Sequence, residues 1–109
     1  MNIEINTPPH VVKQWVTDYL KDKLLDLHHK YESISAVQVS FKERKGIEQM
    51  QKICEIELQA SGDSLFIYKE ADSYEQALRY AFDELSARIN EWIRVKNDPP
   101  DESISTVNV

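Results

Sequence analysis

The apolar residues between positions 71 and 93 recur at steps of three and four along the chain. They are Tyr74, Ala77, Leu78, Ala81, Phe82, Leu85, Ile89, Trp92 and Ile93. On a helix of 3.6 residues per turn these positions form one stripe, so the pattern predicts an amphipathic helix near residues 73 to 95. Ser73 and Gln76 have the spacing of a capping box, which indicates that the helix begins there.

The first thirty residues predict a strand followed by a helix. Ile3 and Ile5 alternate with polar residues, as in a half-buried strand, and Pro8 ends this strand. Proline is tolerated in a first helical turn, so a helix can begin close to Pro9. Its apolar stripe is Val12, Trp15, Val16, Tyr19, Leu20, Leu24, Leu27 and Tyr31. This stripe predicts a helix near residues 9 to 31.

Charged residues lie both in this stripe and opposite it. Lys23 falls within the stripe, so its stem is expected to lie along apolar surface while the ammonium reaches solvent or an RNA phosphate. On the opposite side, Asp18, Asp22 and Asp26 stand at four-residue steps, with two histidines near the helix end. This face has no closed set of metal ligands. We interpret it as a solvated acidic ridge and expect no metal.

From residue 35 the apolar period changes to two, which predicts three further strands. The inward positions are expected to be Val37, Val39, Phe41, Cys54, Ile56, Leu58, Ala60, Leu65 and Ile67. Gly62 marks a tight turn between the third and fourth strands. The fourth strand also carries Phe66 and Tyr68 on its other side. These two aromatics either cover the stems of neighbouring side chains or anchor a protein partner.

The order β-α-β-β-β-α predicts an α+β fold, a two-layer sandwich of a four-stranded mixed sheet with both helices on one face. Strands one and two are expected to be parallel and the others antiparallel. Residues expected between the layers are Trp15, Leu20, Leu27, Val39, Ile56, Ile67, Leu78, Phe82 and Leu85. The open face is expected to carry Glu4, Gln38, Ser40, Glu55, Glu57, Gln59, Phe66 and Tyr68.

Length and composition predict one domain, at residues 1 to 96, followed by a flexible acidic tail at 97 to 109. The formal net charge is -6, which opposes nonspecific attraction to DNA, other nucleic acids or anionic membranes. The single cysteine, Cys54, cannot form an internal disulfide, and no apolar run is long enough to span a bilayer. We therefore expect a cytoplasmic protein. The sequence carries no nucleophile, phosphate-loop or cofactor motif, so we expect neither an enzyme nor a cofactor.

Several short patches, in their order and spacing, resemble a known family. Ala71-Asp72 is followed by Tyr74, Ala77-Leu78, Leu85 and Arg88-Ile89. Earlier patches are Met1 to Asn6, Tyr19-Leu20, Lys23-Leu24, Leu27, Tyr31 and Ile34. Together they resemble, over about residues 1 to 96, the S30AE family of ribosome hibernation promoting factors and ribosome-associated inhibitors, once called sigma-54 modulation proteins. The chain is similar to the short, single-domain form.

The resemblance implies a translation inhibitor that acts in stress or stationary phase, occupying the tRNA and mRNA path of the small ribosomal subunit. Relatives place the basic outer surfaces of both helices and nearby loops against ribosomal RNA, here the 16S rRNA. Phosphate contacts need lysine and arginine but little base recognition. The corresponding candidates are Lys23, Lys30, Lys42, Arg44, Lys45, Arg79, Arg88, Arg94 and Lys96.

The acidic charge favours an alternative without RNA. In it, the same fold is a non-catalytic interaction module. Its open sheet face, through Phe66 and Tyr68, binds a protein or a second copy of the chain as a weak homodimer.

Overall fold

The structure, a computed structural model, describes residues 1–8 and 12–97. Its elements are β1 (Asn2–Asn6), α1 (Gln14–Lys30), β2 (Ile34–Lys45), β3 (Met50–Ala60), β4 (Asp63–Ala71) and α2 (Tyr74–Asn97). The sheet order is β1-β2-β3-β4, with β1 parallel to β2 and the other pairs antiparallel. The predicted α+β fold is confirmed. The tail from residue 98 lies outside the described residues, so the division at residue 96 stays a prediction.

The core lies between the helices and one face of the sheet. Strand register aligns Ile5, Val39, Ile56 and Ile67 in one row across all four strands. The last three of these residues are fully or almost fully buried, and they belong to one cluster with the inward residues of both helices. Because side chains alternate across a strand, this row also fixes which residues lie on the opposite, open face.

The two helices run in the same direction over the sheet. Trp15, near the start of α1, lines a groove together with Leu78, near the start of α2. At the other end, the Tyr31 hydroxyl donates a hydrogen bond of 3.4 Å to Asn90 Oδ1. The parallel course follows from topology, because β1, β2 and β4 point the same way and each helix returns along the sheet.

The structure corrects two predictions for α1. α1 begins later than predicted, at Gln14, because Lys13 before it has extended backbone angles (φ -68°, ψ 148°); Pro9 itself lies outside the described residues. Trp15 is not buried but 55% exposed. Val16 and Leu20 define the buried face of α1, and Trp15 is rotated about 100° from Val16 around the helix axis. Its indole therefore faces the edge of the layer.

Two further residues expected between the layers, Leu27 and Phe82, are only partly buried against the core. Among the turn predictions, Gly62 has the expected positive φ of 79°, and Ser61 before it also has a positive φ of 54°. Two such residues match the two-residue hairpin turn whose twist suits the flanking strands. At the start of α2, the backbone N–H of Gln76 donates a hydrogen bond of 3.2 Å to the Ser73 hydroxyl, which is one half of the capping box.

Candidate nucleic-acid interface

The nine basic residues predicted to contact RNA lie on several surfaces. Lys23 and Lys30 are on α1, three others are on β2, and the remaining four are on α2. The β2 residues are Lys42, Arg44 and Lys45, and the α2 residues are Arg79, Arg88, Arg94 and Lys96. The side chain of Lys96 lies outside what the structure describes. The candidates therefore differ in which surface they reach and in whether a carboxylate already binds them.

Two of the β2 candidates lie on the open sheet face and are ion-paired there. Lys42 Nζ lies 2.9 Å from Glu55 Oε1. Arg44 Nε and Nη2 donate to the two carboxylate oxygens of Glu70 at 3.0 and 2.8 Å. The Tyr68 hydroxyl donates to Glu70 Oε2 at 2.7 Å. Both cations are thus bound to carboxylates of the same molecule.

The Arg44 and Glu70 pair sets the electrostatics of this face. The hydrogen bonds from Arg44, and then that from Tyr68, hold the pKa of Glu70 below its ordinary value. The same carboxylate raises the pKa of Tyr68. Ile53 lies in register between Lys42 and Glu70 and is only 5% exposed, although it is on the open face. Sequence reasoning missed Ile53 and Glu70, although the alternation along β3 puts Ile53 on the same side as Glu55.

On α2, two of the candidate arginines are also paired. Arg88 Nη1 lies 3.4 Å from Glu84 Oε2 and 3.5 Å from the Phe66 carbonyl oxygen on β4. Arg94 donates to both carboxylate oxygens of Glu91 at 2.9 Å. Arg79 lies on the other side of the helix, since it lines the groove toward α1. Nine residues are about 2.5 helical turns, so Arg79 and Arg88 point in nearly opposite directions.

Four candidates, Lys23, Lys30, Lys45 and Arg79, have no carboxylate within 4 Å among residues 1–8 and 12–97. Three of them, Lys23, Lys30 and Arg79, lie on the two helices. Lys23 Nζ lies 5.4 Å from the centroid of the Tyr19 ring, and Lys30 Nζ lies 5.5 Å from that of Tyr31. The ammonium groups thus lie over aromatic faces, and both lysines are exposed.

A groove of about 320 Å³ opens between the first halves of the two helices. Its lining residues are Trp15, Val16, Tyr19, Glu75, Leu78, Arg79, Phe82 and Asp83. We call it the aromatic groove. Trp15 and Tyr19 are 55% and 47% exposed, so their rings are available to a ligand. The acidic ridge of Asp18, Asp22 and Asp26 is exposed, as the sequence predicts.

The open face carries the two aromatics expected there. Phe66 is 53% and Tyr68 43% exposed, and strand register places them beside Glu57 and Glu55 respectively. Their predicted exposure is confirmed, and their role as protein anchors stays a prediction.

The third β2 candidate, Lys45, lies at the end of the β2-β3 hairpin. The Gln49 side-chain amide donates to Asp72 Oδ1 at 2.7 Å and ties the hairpin loop to the start of α2. Within the loop, a Cβ added to Gly46 would lie 2.4 Å from the Gln49 carbonyl oxygen. The close approach of the two backbones therefore requires glycine at this position.

Within the described residues, no three side chains of His, Cys, Asp and Glu are grouped closely enough to hold a metal ion. No helix in this part of the chain is both long and apolar enough to cross a membrane.

The sequence model of the family Ribosomal_S30AE, described as "Sigma 54 modulation protein / S30EA ribosomal protein", matches residues 3–94. The chain is similar to a ribosomal subunit interface protein from Coxiella burnetii, with a TM-score of 0.67, 16% identity, and coverage of 84% of this chain and 97% of that one. It is also similar to the Protein Y N-terminal domain of Thermus thermophilus, with a TM-score of 0.65, 19% identity, and coverage of 84% and 99%. At these identities the two structures show the shared fold. None of the curated protein sequences matches the chain.

Proposed function

Because the chain belongs to the S30AE family, we propose that it is a non-catalytic ribosome-binding factor that inhibits translation. The family match extends over residues 3–94, which include α1, β2, β3 and β4 and all but the outer ends of β1 and α2. In this proposal the partner is the small ribosomal subunit, the contact is with 16S rRNA in the tRNA and mRNA path, and the protein acts in the cytoplasm during stress or slow growth.

The observation that carries the proposal is the arrangement of Lys23 and Lys30 on α1. Seven residues, or about two helical turns, separate them, so their Cα atoms are about 10.5 Å apart on one side of the helix. Each ammonium group lies beside a tyrosine ring, and neither has a carboxylate partner among the described residues. Such cations can bind successive backbone phosphates, the groups by which A-form RNA is mainly recognised.

The acidic residues of α1 restrict which side of this helix RNA can contact. The ridge of Asp18, Asp22 and Asp26 flanks the two lysines on the outer side of α1 and repels phosphate there. RNA is therefore expected to contact α1 at Lys23 and Lys30, on the side that faces α2. Arg79 lies farther toward the helix starts, between Glu75 and Asp83, whose charges oppose a phosphate there. A contact that depends on a few cations in an acidic protein is strongly weakened by salt.

Sedimentation with purified ribosomal subunits tests the proposal. We expect the protein to co-sediment with small subunits in a low-salt gradient and to dissociate as salt is raised. It should not co-sediment with large subunits alone. Absence from the small-subunit fraction at the lowest salt would contradict the proposal.

The open sheet face supports a second candidate function, binding of a protein partner or a second copy of the chain. Phe66 and Tyr68 are about half exposed and two residues apart on an edge strand. Aromatic anchors typically cost about 2 kcal/mol or more when truncated in an interface. Sedimentation equilibrium of the parent and of the double variant Phe66→Ala, Tyr68→Ala tests this. A parent that stays monomeric at high concentration argues against self-association.

A further inference from the structure

The aromatic groove has a chemical character unlike that of a phosphate site. Two carboxylates line it, Glu75 and Asp83, and neither has a lysine or arginine within 4 Å among the described residues. Arg79 lies between them on α2, four residues from each. The groove therefore has one more acid than base, and its acids are not held in ion pairs.

The two aromatic residues on the α1 side of the groove, Tyr19 and Trp15, differ in whether a cation already lies over the ring. Tyr19 already has the Lys23 ammonium 5.4 Å from its ring centroid. No described lysine or arginine lies over the indole of Trp15, which is 55% exposed. Tryptophan is the best aromatic acceptor for a cation. Val16, Leu78 and Phe82 supply the apolar wall around it.

A planar cation fits this combination better than a phosphate or a compact ammonium does. A guanidinium stacks on an aromatic face and at the same time donates two parallel hydrogen bonds to a carboxylate. A phosphate would meet the repulsion of Glu75 and Asp83. A lysine ammonium would be attracted by the same charges but could neither stack on the ring nor form bidentate hydrogen bonds with a carboxylate.

We propose that the aromatic groove binds an arginine side chain from a basic, extended segment of a partner protein. The guanidinium stacks on Trp15 and donates two hydrogen bonds to the carboxylate of Glu75. Asp83, two helical turns farther along α2 and about 12 Å away, and the acidic surplus of the chain attract the flanking basic residues. This inference does not depend on RNA binding, because Lys23 and Lys30, which carry the RNA proposal, lie outside the groove lining, and Arg79 is the one RNA candidate within it.

Fluorescence anisotropy of labelled peptides tests this proposal. The probes are a short peptide with three arginines in a glycine-serine background and the same peptide with lysines. We expect the arginine peptide to bind more tightly. Trp15→Ala should weaken its binding about 3- to 30-fold, the range that cation-π energies correspond to. Glu75→Gln and Asp83→Asn should each weaken it severalfold and reduce its dependence on salt.

The control variant is Tyr80→Ala, which removes an exposed aromatic of α2 that does not line the groove. It should leave peptide binding unchanged. Trp15 and Tyr80 are both about half exposed, so both variants should fold. Thermal unfolding midpoints equal to that of the parent would verify this.

Two outcomes would overturn the proposal. One is equal binding of the arginine and lysine peptides with no effect of Trp15→Ala. The other is failure of the arginine peptide together with binding of a single-stranded RNA oligonucleotide that Trp15→Ala weakens and Asp83→Asn strengthens. That second result would identify the occupant as a nucleobase. Ribosome sedimentation of Trp15→Ala tests this inference separately from the proposed function. A variant that loses peptide binding but still co-sediments with small subunits supports both proposals.

Discussion

Arg44 on β2 binds Glu70 on β4 through two hydrogen bonds, of 3.0 and 2.8 Å, that pass over the strand between them. Strands two positions apart are separated by about 9.6 Å, so the long arginine side chain is needed to span β3. Ile53, on β3, lies in register beside Glu70 and is shielded from water. The open face therefore has an apolar residue beneath an ion pair, instead of a uniformly polar surface.

The Glu70 carboxylate should make stability depend on pH. Arg44, and then Tyr68, lowers its pKa, so its contribution is complete above the ordinary value of 4.5 and is lost as the pH falls below it. We expect Glu70→Gln to lower the melting temperature near neutral pH, and the difference from the parent to shrink in acid. Thermal unfolding from about pH 7 to about pH 3 measures this. Glu57→Gln, on the same face but without an ion pair among the described residues, is the control. A difference that is constant with pH would contradict the assignment.

Removing the two lysines of α1 should weaken ribosome binding. For Lys23→Gln with Lys30→Gln, the slope of log affinity against log salt should become shallower by up to about 1.4 to 1.8 units, corresponding to two phosphate contacts. Lys21→Gln with Lys69→Gln removes the same charge from other surfaces and should have a smaller effect. Equal losses in the two double variants would show that net charge, not position, governs binding.

Core and groove residues of α1 should differ sharply in their effect on stability. Leu20 is fully buried, so Leu20→Ala should lower the free energy of unfolding by about 2 to 5 kcal/mol. Trp15→Ala should change it by only about 0.5 kcal/mol, because the indole is largely exposed. Urea denaturation of both variants measures the difference. A loss of several kcal/mol in Trp15→Ala would mean that the indole belongs to the core.

The turn between β3 and β4 should require glycine for its backbone angle alone. Gly62 has a φ of 79°, and a Cβ at this position would meet no atom within 4 Å. Gly62→Ala should therefore cost about 1 to 2 kcal/mol, the strain of a left-handed conformation. Gly62→Asn should cost less, because asparagine tolerates this region. Chemical denaturation of the two variants compares them, and an equal cost would mean that steric contact, not φ, is the cause.

Cys54 should be unreactive in the folded protein. Burial is the main cause that raises the pKa of its thiol from 9.0 to about 12, so little thiolate forms at neutral pH. Labelling by a thiol reagent should follow unfolding, and it should become rapid in denaturant. Since the unfolded thiol ionises first, stability is also expected to fall as the pH rises above about 9. Fast labelling under native conditions would show that the region around β3 opens.

Periodicity predicted the elements because the sheet has one buried and one open face and each helix has one buried stripe. The errors concern two features that the apolar period does not determine: how deeply a residue at the edge of a stripe is buried, and where a helix begins. Trp15 fits the apolar stripe of α1 by spacing, yet it lies at the edge of that stripe, where a large ring can face solvent. The start of α1 depends on the backbone angles of Lys13, which no nearby capping residue signals.

The candidate site was harder to predict because charge pairing is mostly non-local. Glu91 with Arg94 and Glu84 with Arg88 are helical neighbours, which the sequence alone can indicate. Arg44 and Glu70 are 26 residues apart, and they meet only because of the strand register. A list of basic residues therefore cannot separate cations that are already bound from those that are available to RNA.

The parallel course of α1 and α2 also means that their peptide dipoles add instead of cancelling. Each helix places about half a positive charge at its first turn, and both first turns lie at the same end of the molecule. The first turn of α1 contains no acidic residue that would offset this charge. In α2, by contrast, Glu75 lies in the first turn and offsets the dipole, so the positive dipole charge left at this end of the molecule is that of α1.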